Sequence, residues 1–172
     1  PPRSTLFPYT TLFRSDDLKD NLPDILDRAK QLGVDRFICV ATNLEDALEC
    51  LKLAETHATI WASAGVHPHD AKDAPGNLNN RIRELMDHEK MVAVGEMGLD
   101  YFRNISDQET QQKIFRKQMS IAQDLDMPVI FHNRNADEDV LTILSEFPNL
   151  RGVAHCFSST LETAEKFIDL GY

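Results

Sequence analysis

Cysteine is scarce in this 172-residue chain, and its three copies, Cys39, Cys50 and Cys156, are odd in number and widely spaced. That excludes a disulfide framework and a C-x-x-C metal knuckle, and it points to a reducing compartment. Basic residues are the minority: 18 Lys plus Arg face 28 Asp plus Glu, a formal charge of −10. An acidic surface repels nucleic acid at long range, so such a partner needs a local basic patch or bound cations to offset the field. Long apolar runs are missing: no stretch approaches the roughly 18 to 20 residues that span a bilayer, and no basic segment precedes an apolar core at the start. The chain therefore reads as soluble, unexported and cytoplasmic, with no membrane partner. Only 7 Gly and 8 Pro exclude collagen-like and mucin-like chains, and a content of 42% hydrophobic and 27% charged residues is that of one ordinary globular domain.

The first fifteen residues, PPRSTLFPYTTLFRS, contain no acid and no helical or alternating periodicity, whereas everything after Asp16 is patterned. The repeated TLF wording resembles translated adapter or cloning sequence, so residues 1–15 are read as a non-native segment, with an irregular native arm as the alternative. Residues 16–172 carry the fold. Leu18, Leu22, Ile25, Leu26 and Ala29 recur at helical spacing and predict a helix over 17–32, stopped by Gly33. The run 37–41 predicts a buried strand, and Ala47, Leu48, Leu51 and Ala54 a helix after it. The unit recurs with strands at 60–66, 91–95, 128–131 and 152–154, leading to helices near 78–88, 107–125, 137–146 and 161–170. Such alternation argues for an all-parallel sheet with right-handed crossovers, which a barrel or an open doubly wound sheet both satisfy.

Polar and ionisable residues gather where these strands end: Thr42-Asn43, His67-Pro-His69, Glu96, His132-Asn-Arg134 and His155. In parallel α/β folds those ends build the site. Glu96 follows an apolar run, and an isolated buried carboxylate costs several kcal/mol unless it is paired or bound to a cation. His132 and His155 follow apolar strands in the same way, and imidazole with carboxylate suits Zn, Mn or Fe. His67 and His69 flank Pro68 and form an H-x-H pair at metal-ligand spacing, with a polar rim pair in a turned loop as the alternative. Arg134 is a candidate anion clamp, because a guanidinium grips phosphate or carboxylate with paired donors. His57 and His88 lie at helix C-termini and are structural. Phe115, Met119 and Ala122 form the core stripe of the long helix.

Four segments together, Gly65-Val-His-Pro-His69, Val94-Gly-Glu-Met-Gly-Leu-Asp-Tyr101, Pro128-Val-Ile-Phe-His132 with Arg134, and Val153-Ala-His-Cys-Phe157, resemble the TatD family of metal-dependent deoxyribonucleases, within the amidohydrolase-like superfamily. The similarity covers about residues 17–172. It implies a (β/α)₈ TIM barrel, present here as strands two to six, and cleavage of phosphodiester bonds in DNA of the 3′ to 5′ exonuclease type. It implies two divalent metal ions (Mg, Mn or Zn) per intact site, with Glu96 bridging them and His132 and His155 as ligands. His67 then matches an active-site histidine that meets substrate, and Arg134 lies near the phosphate.

The departures shape the remaining expectations. The family's first strand, which carries an H-x-H ligand pair, and its last ligand, an aspartate after the eighth strand, have no counterpart here. Ser159 stands where the family usually has glycine. A full barrel takes about 250 residues, so this chain is expected to be a poorly stable and inactive fragment of an intact monomeric hydrolase. Two other functions fit the same residues. One is a metal-dependent amidohydrolase acting on an amide or ester; the other is a non-catalytic binding domain, which Glu96→Ala would leave intact.

Overall fold

The structure, a computed structural model, describes residues 21–172. The reading of residues 1–15, and the first turn of the helix expected over 17–32, lie outside the described residues. Helix α1 is Leu22–Gln31. It ends where Gly33 takes a φ of +84°, a conformation that glycine adopts without strain. Strand β1 (Phe37–Cys39) leads to α2 (Leu44–Thr56), and β2 (Ile60–Ala64) leads through a 3-10 turn at Pro68–Asp73 to α3 (Leu78–Met86). Strand β3 (Met91–Asp100) precedes α4 (Gln108–Leu125), β4 (Val129–Arg134) precedes α5 (Asp137–Ser145), and β5 (Gly152–Ala154) precedes α6 (Leu161–Asp169).

The five strands are all parallel and lie in the order β1-β2-β3-β4-β5. That order settles the alternative left open by the sequence. A doubly wound sheet reverses strand order at a switch point, whereas successive strands of a barrel add to one edge without reversal. The sheet is an arc of a (β/α)₈ barrel, with helices on its outer side.

Between the sheet and the helices lies one continuous core. Phe115, Met119 and Ala122 of α4 are fully buried there, as their spacing predicts, against Met91, Val94 and Met97 of β3 and Phe131 of β4. Burying each such side chain contributes about 1.5–3 kcal/mol. Val40, Ala93 and Ile130 form a separate small cluster. Among the described residues no helix is long and apolar enough to cross a membrane.

Strand β3 differs most from its sequence reading. Instead of stopping at Gly95 it runs to Asp100, so Glu96 sits within the strand. The chain continues because Gly95 and Gly98 take φ values of +144° and +130° and the β3–β4 register shifts between Val94 and Met97. A Cβ at Gly95 would overlap the Ile130 carbonyl, and one at Gly98 the His132 carbonyl. These glycines let β3 lie close against β4, which is how Glu96 comes to face His132.

Candidate metal centre

Glu96 is 2% exposed. Its Oε1 lies 3.5 Å from His132 Nδ1 on the neighbouring strand, while its Oε2 is buried with no hydrogen-bond partner among the described residues. His67 reaches the same place from the loop after β2. Its backbone N–H donates to the Thr42 carbonyl at 2.8 Å, its side chain caps the 3-10 turn by accepting from the His69 N–H, and its ring lies 4.7 Å from that of His132. One donor atom each from His67, Glu96 and His132 falls within 4.8 Å of the others.

A second buried carboxylate holds this group from behind. Asp100, at the end of β3, accepts from His69 Nε2 at 2.8 Å and from His132 Nε2 at 3.1 Å on Oδ2, and from the Arg103 N–H at 2.8 Å on Oδ1. An ionised carboxylate only accepts, so His132 presents Nε2–H to Asp100 and is left with Nδ1 toward Glu96. Asp100 is itself held by α4: Gln111 accepts from the Asp100 N–H at 2.8 Å and donates to the Ser106 carbonyl at 2.7 Å. Seven residues along, Gln118 accepts from the Val66 N–H at 2.7 Å and donates to the Val66 carbonyl at 3.0 Å, fixing the segment that carries His67.

The electrostatics follow from this packing. Burial, with the neighbouring His132 and His69, pushes His67 down to about 2, so it stays neutral, with Nδ1 accepting from the His69 N–H and Nε2 carrying the proton. Burial also disfavours the charged form of His132, but its contacts with Asp100 and Glu96 prevail and carry it up to about 9. Burial opposes ionisation of Asp100 too, yet hydrogen bonds from His132, His69 and the Arg103 N–H hold it well below the usual carboxylate range. The buried Glu96 carboxylate, one of whose oxygens has no partner among the described residues, and the imidazole rings of His67 and His132 converge on one point, with Asp100 behind His132. A divalent cation fits that donor set and would give Glu96 Oε2 the partner it lacks.

The other residues singled out by sequence fall into different places. His155 follows β5, half-buried, with its N–H donating to the Phe131 carbonyl at 2.8 Å and its Nε2 3.6 Å from Cys156 Sγ. It bears electrostatically on His67 but stands outside the three-donor group among the described residues. Arg134 pairs in register with Asp100, and its guanidinium stacks 4.1 Å over the Phe102 ring. The His67 and His69 rings meet edge to face with centroids 4.4 Å apart, His67 lying beside Glu96 and His132 while His69 binds Asp100. Thr42 and Asn43 build the start of α2: Asn43 caps it through the Asp46 N–H, and Asp46 accepts from both N–H and hydroxyl of Thr42. Ser159 donates to Asp137, which also accepts from Asn133 and Thr163, so it ties the loop carrying His155 to β4 and α6.

Sequence reasoning gave no role to Asp100, Gln111, Gln118 or Phe102. The signal for Asp100 was the one that found Glu96, a carboxylate closing an apolar run. For the glutamines it was a polar residue on the apolar stripe 111, 115, 118, 119, 122 of α4.

The sequence pattern of the family described as TatD related DNase matches residues 12–172. The chain belongs to that family. Among its TatD relatives, an uncharacterized metal-dependent hydrolase YabD of Bacillus subtilis is 34% identical over 169 residues, covering 97% of this chain and 66% of the relative. A 3′-5′ ssDNA/RNA exonuclease TatD of Citrobacter koseri is 38% identical over 162 residues, covering 93% of this chain and 62% of the relative. The crystal structure of YJJV, a TatD homolog from Escherichia coli K12, superposes with a TM-score of 0.82 at 33% identity, covering 93% of this chain and 63% of that one. The chain thus spans about two thirds or less of the length of the TatD relatives it matches.

Proposed function

We propose that this chain carries part of the active site of a metal-dependent hydrolase that cleaves phosphodiester bonds in DNA from the 3′ end. The observation that carries the reading is the buried, unpartnered Oε2 of Glu96, facing a point where His67 and His132 also present donors. Family membership and relatives named as exonucleases support the substrate class. In this reading Glu96, His132 and His155 would be the residues of this chain that hold the two divalent ions, Mg, Mn or Zn, of the intact site, with Glu96 shared between them. His67 meets substrate and Arg134 holds a phosphate oxygen. The ions, when bound, supply charge stabilisation at the phosphoryl group and an activated water. The chain's own residues do the rest. Asp100 orients His132, the neutral His67 can donate a hydrogen bond from Nε2 at the mouth, and the β3–β4 packing keeps bulk water from Glu96. We place the protein in the cytoplasm, with three reduced cysteines, and its intact form as a monomer. Efficient turnover is assigned to that intact form, whereas the residues described here suffice for cation uptake.

Equilibrium dialysis and calorimetry with Mg, Mn and Zn test this on the chain itself. We expect saturable uptake of at least one ion, lost in Glu96→Ala. Uptake unchanged in Glu96→Ala would overturn the reading.

A further inference from the structure

We propose that Phe102, with Arg134 stacked on it and Arg103 beside it, is a platform on which an unpaired nucleobase stacks next to the metal centre. The inference rests on the nucleic-acid reading above and adds to it a base-binding site.

Single exposed apolar side chains are ordinary. What sets Phe102 apart is its company. It is 60% exposed, and the other exposed aromatic ring among the described residues, Phe157, packs against Phe167 with centroids 6.0 Å apart. Phe102 lies two residues past Asp100, which binds His69 and His132, and Arg134 lies two residues past His132 on the adjoining strand. Since Asp100 and Arg134 are register partners, ring and guanidinium stand together at the rim of the centre, 4.1 Å apart. Both arginines here are free of carboxylates: among the described residues no ion pair joins Arg103 or Arg134 to an acid. Arg81, Arg83 and Arg116 on the outer helices, by contrast, are paired with Glu45, Asp124 and Glu146. On a chain of net charge −10, Arg134 stacked on an open ring and outside any ion pair among the described residues is a cation available where substrate arrives.

Each part has a task that nucleic acid requires. The ring offers a π-face to any base, which gives affinity without sequence choice. The guanidinium stacked on it fixes the ring and keeps its donor edge free for a phosphate oxygen. A base inside a duplex is already stacked on both sides, so the platform selects frayed ends and single strands.

The test is fluorescence anisotropy with a chelator present, so that nothing is cleaved, using a labelled oligothymidylate and an abasic oligomer with the same backbone. We expect the chain to bind the oligothymidylate more tightly than the abasic strand. Phe102→Ala and Phe102→Leu should weaken oligothymidylate binding by about 5- to 150-fold, the range set by one stacked base. Both should also close the gap between the two probes, whereas Phe102→Trp keeps it. Equal binding of both probes by the unaltered chain, or Phe102→Leu binding as tightly as the unaltered chain, would overturn the proposal. The two readings fail separately. Metal uptake indifferent to Glu96→Ala removes the hydrolase reading and leaves a Phe102-dependent platform standing. Glu96-dependent uptake with no probe discrimination removes the platform alone.

Discussion

Asp100 never touches the point where a cation would sit, yet it decides which nitrogen His132 turns toward it. Partners of this kind typically change metal affinity by about 10- to 100-fold. Asp100→Asn should therefore weaken cation binding by that order, measured by competition with a chromophoric chelator, while the far-ultraviolet spectrum stays as it was. An unchanged dissociation constant would show that His132 is held by packing alone. Glu96 was legible in the sequence because a carboxylate closing an apolar run needs a partner. Asp100 obeyed the same logic but went unread, because Gly95 looked like the end of the strand. Only the conformation reveals that Gly95 and Gly98, at φ of +144° and +130°, carry β3 onward. Gly95→Ala puts a methyl group into the Ile130 carbonyl in a backbone region that L residues avoid. We expect a loss of about 3 kcal/mol in urea unfolding, along with loss of metal uptake, because the contact between β3 and β4 is what brings Glu96 to His132.

Helix α4 does more than cover the sheet. Its apolar stripe was readable from spacing, and Phe115, Met119 and Ala122 are buried as that spacing requires. The same stripe hides Gln111 and Gln118, both fully buried, and periodicity cannot tell a buried amide from a solvated one. Gln118→Leu keeps the volume but strands the Val66 N–H and carbonyl in the core, each of which had one partner in that amide. A buried unpaired group costs about 1–3 kcal/mol, so a lowered denaturation midpoint with an unchanged urea slope is the expected outcome. A second link leaves the end of β3 for α5. Tyr101 donates to Asp139 at 2.6 Å and accepts from Gln112, with Arg116 nearby. Burial, reinforced by the Asp139 hydrogen bond, pushes the phenol up to about 12 from an ordinary 10. A group whose folded pKa is raised contributes stability that is complete below the unfolded value and is lost as pH climbs through the folded one. Thermal melts should therefore fall between pH 10 and 12, and Tyr101→Phe should flatten part of that decline. Burial raises Tyr172 over the same window, so the decline should persist in part; a slope untouched by Tyr101→Phe would count against the link.

The alternation of strand and helix made a parallel sheet legible, but not its closure, because right-handed crossovers build barrels and open sheets from the same pattern. Sequential strand order settles the architecture and leaves an exposed consequence. Among the described residues β1 pairs only with β2, and β5 only with β4. Each carries an exposed apolar side chain, Ile38 at 47% and Val153 at 60% exposure. Beside β1, an open recess of about 290 Å³ is lined by Phe37, Ile38, Trp61 and Val92 together with Arg36. A closed barrel leaves no strand edge and fills its interior with such side chains. An arc presents both, and an unpaired apolar edge is a template for pairing with another copy. This chain should therefore self-associate through these edges as its concentration rises. Charged side chains are the usual protection of an edge, so Ile38→Lys with Val153→Lys should shift the sedimentation profile toward monomer. The substitutions lie on exposed positions away from Glu96, and cation uptake should survive them. If the double variant associates as strongly as the unaltered chain, some surface other than the two edges drives assembly.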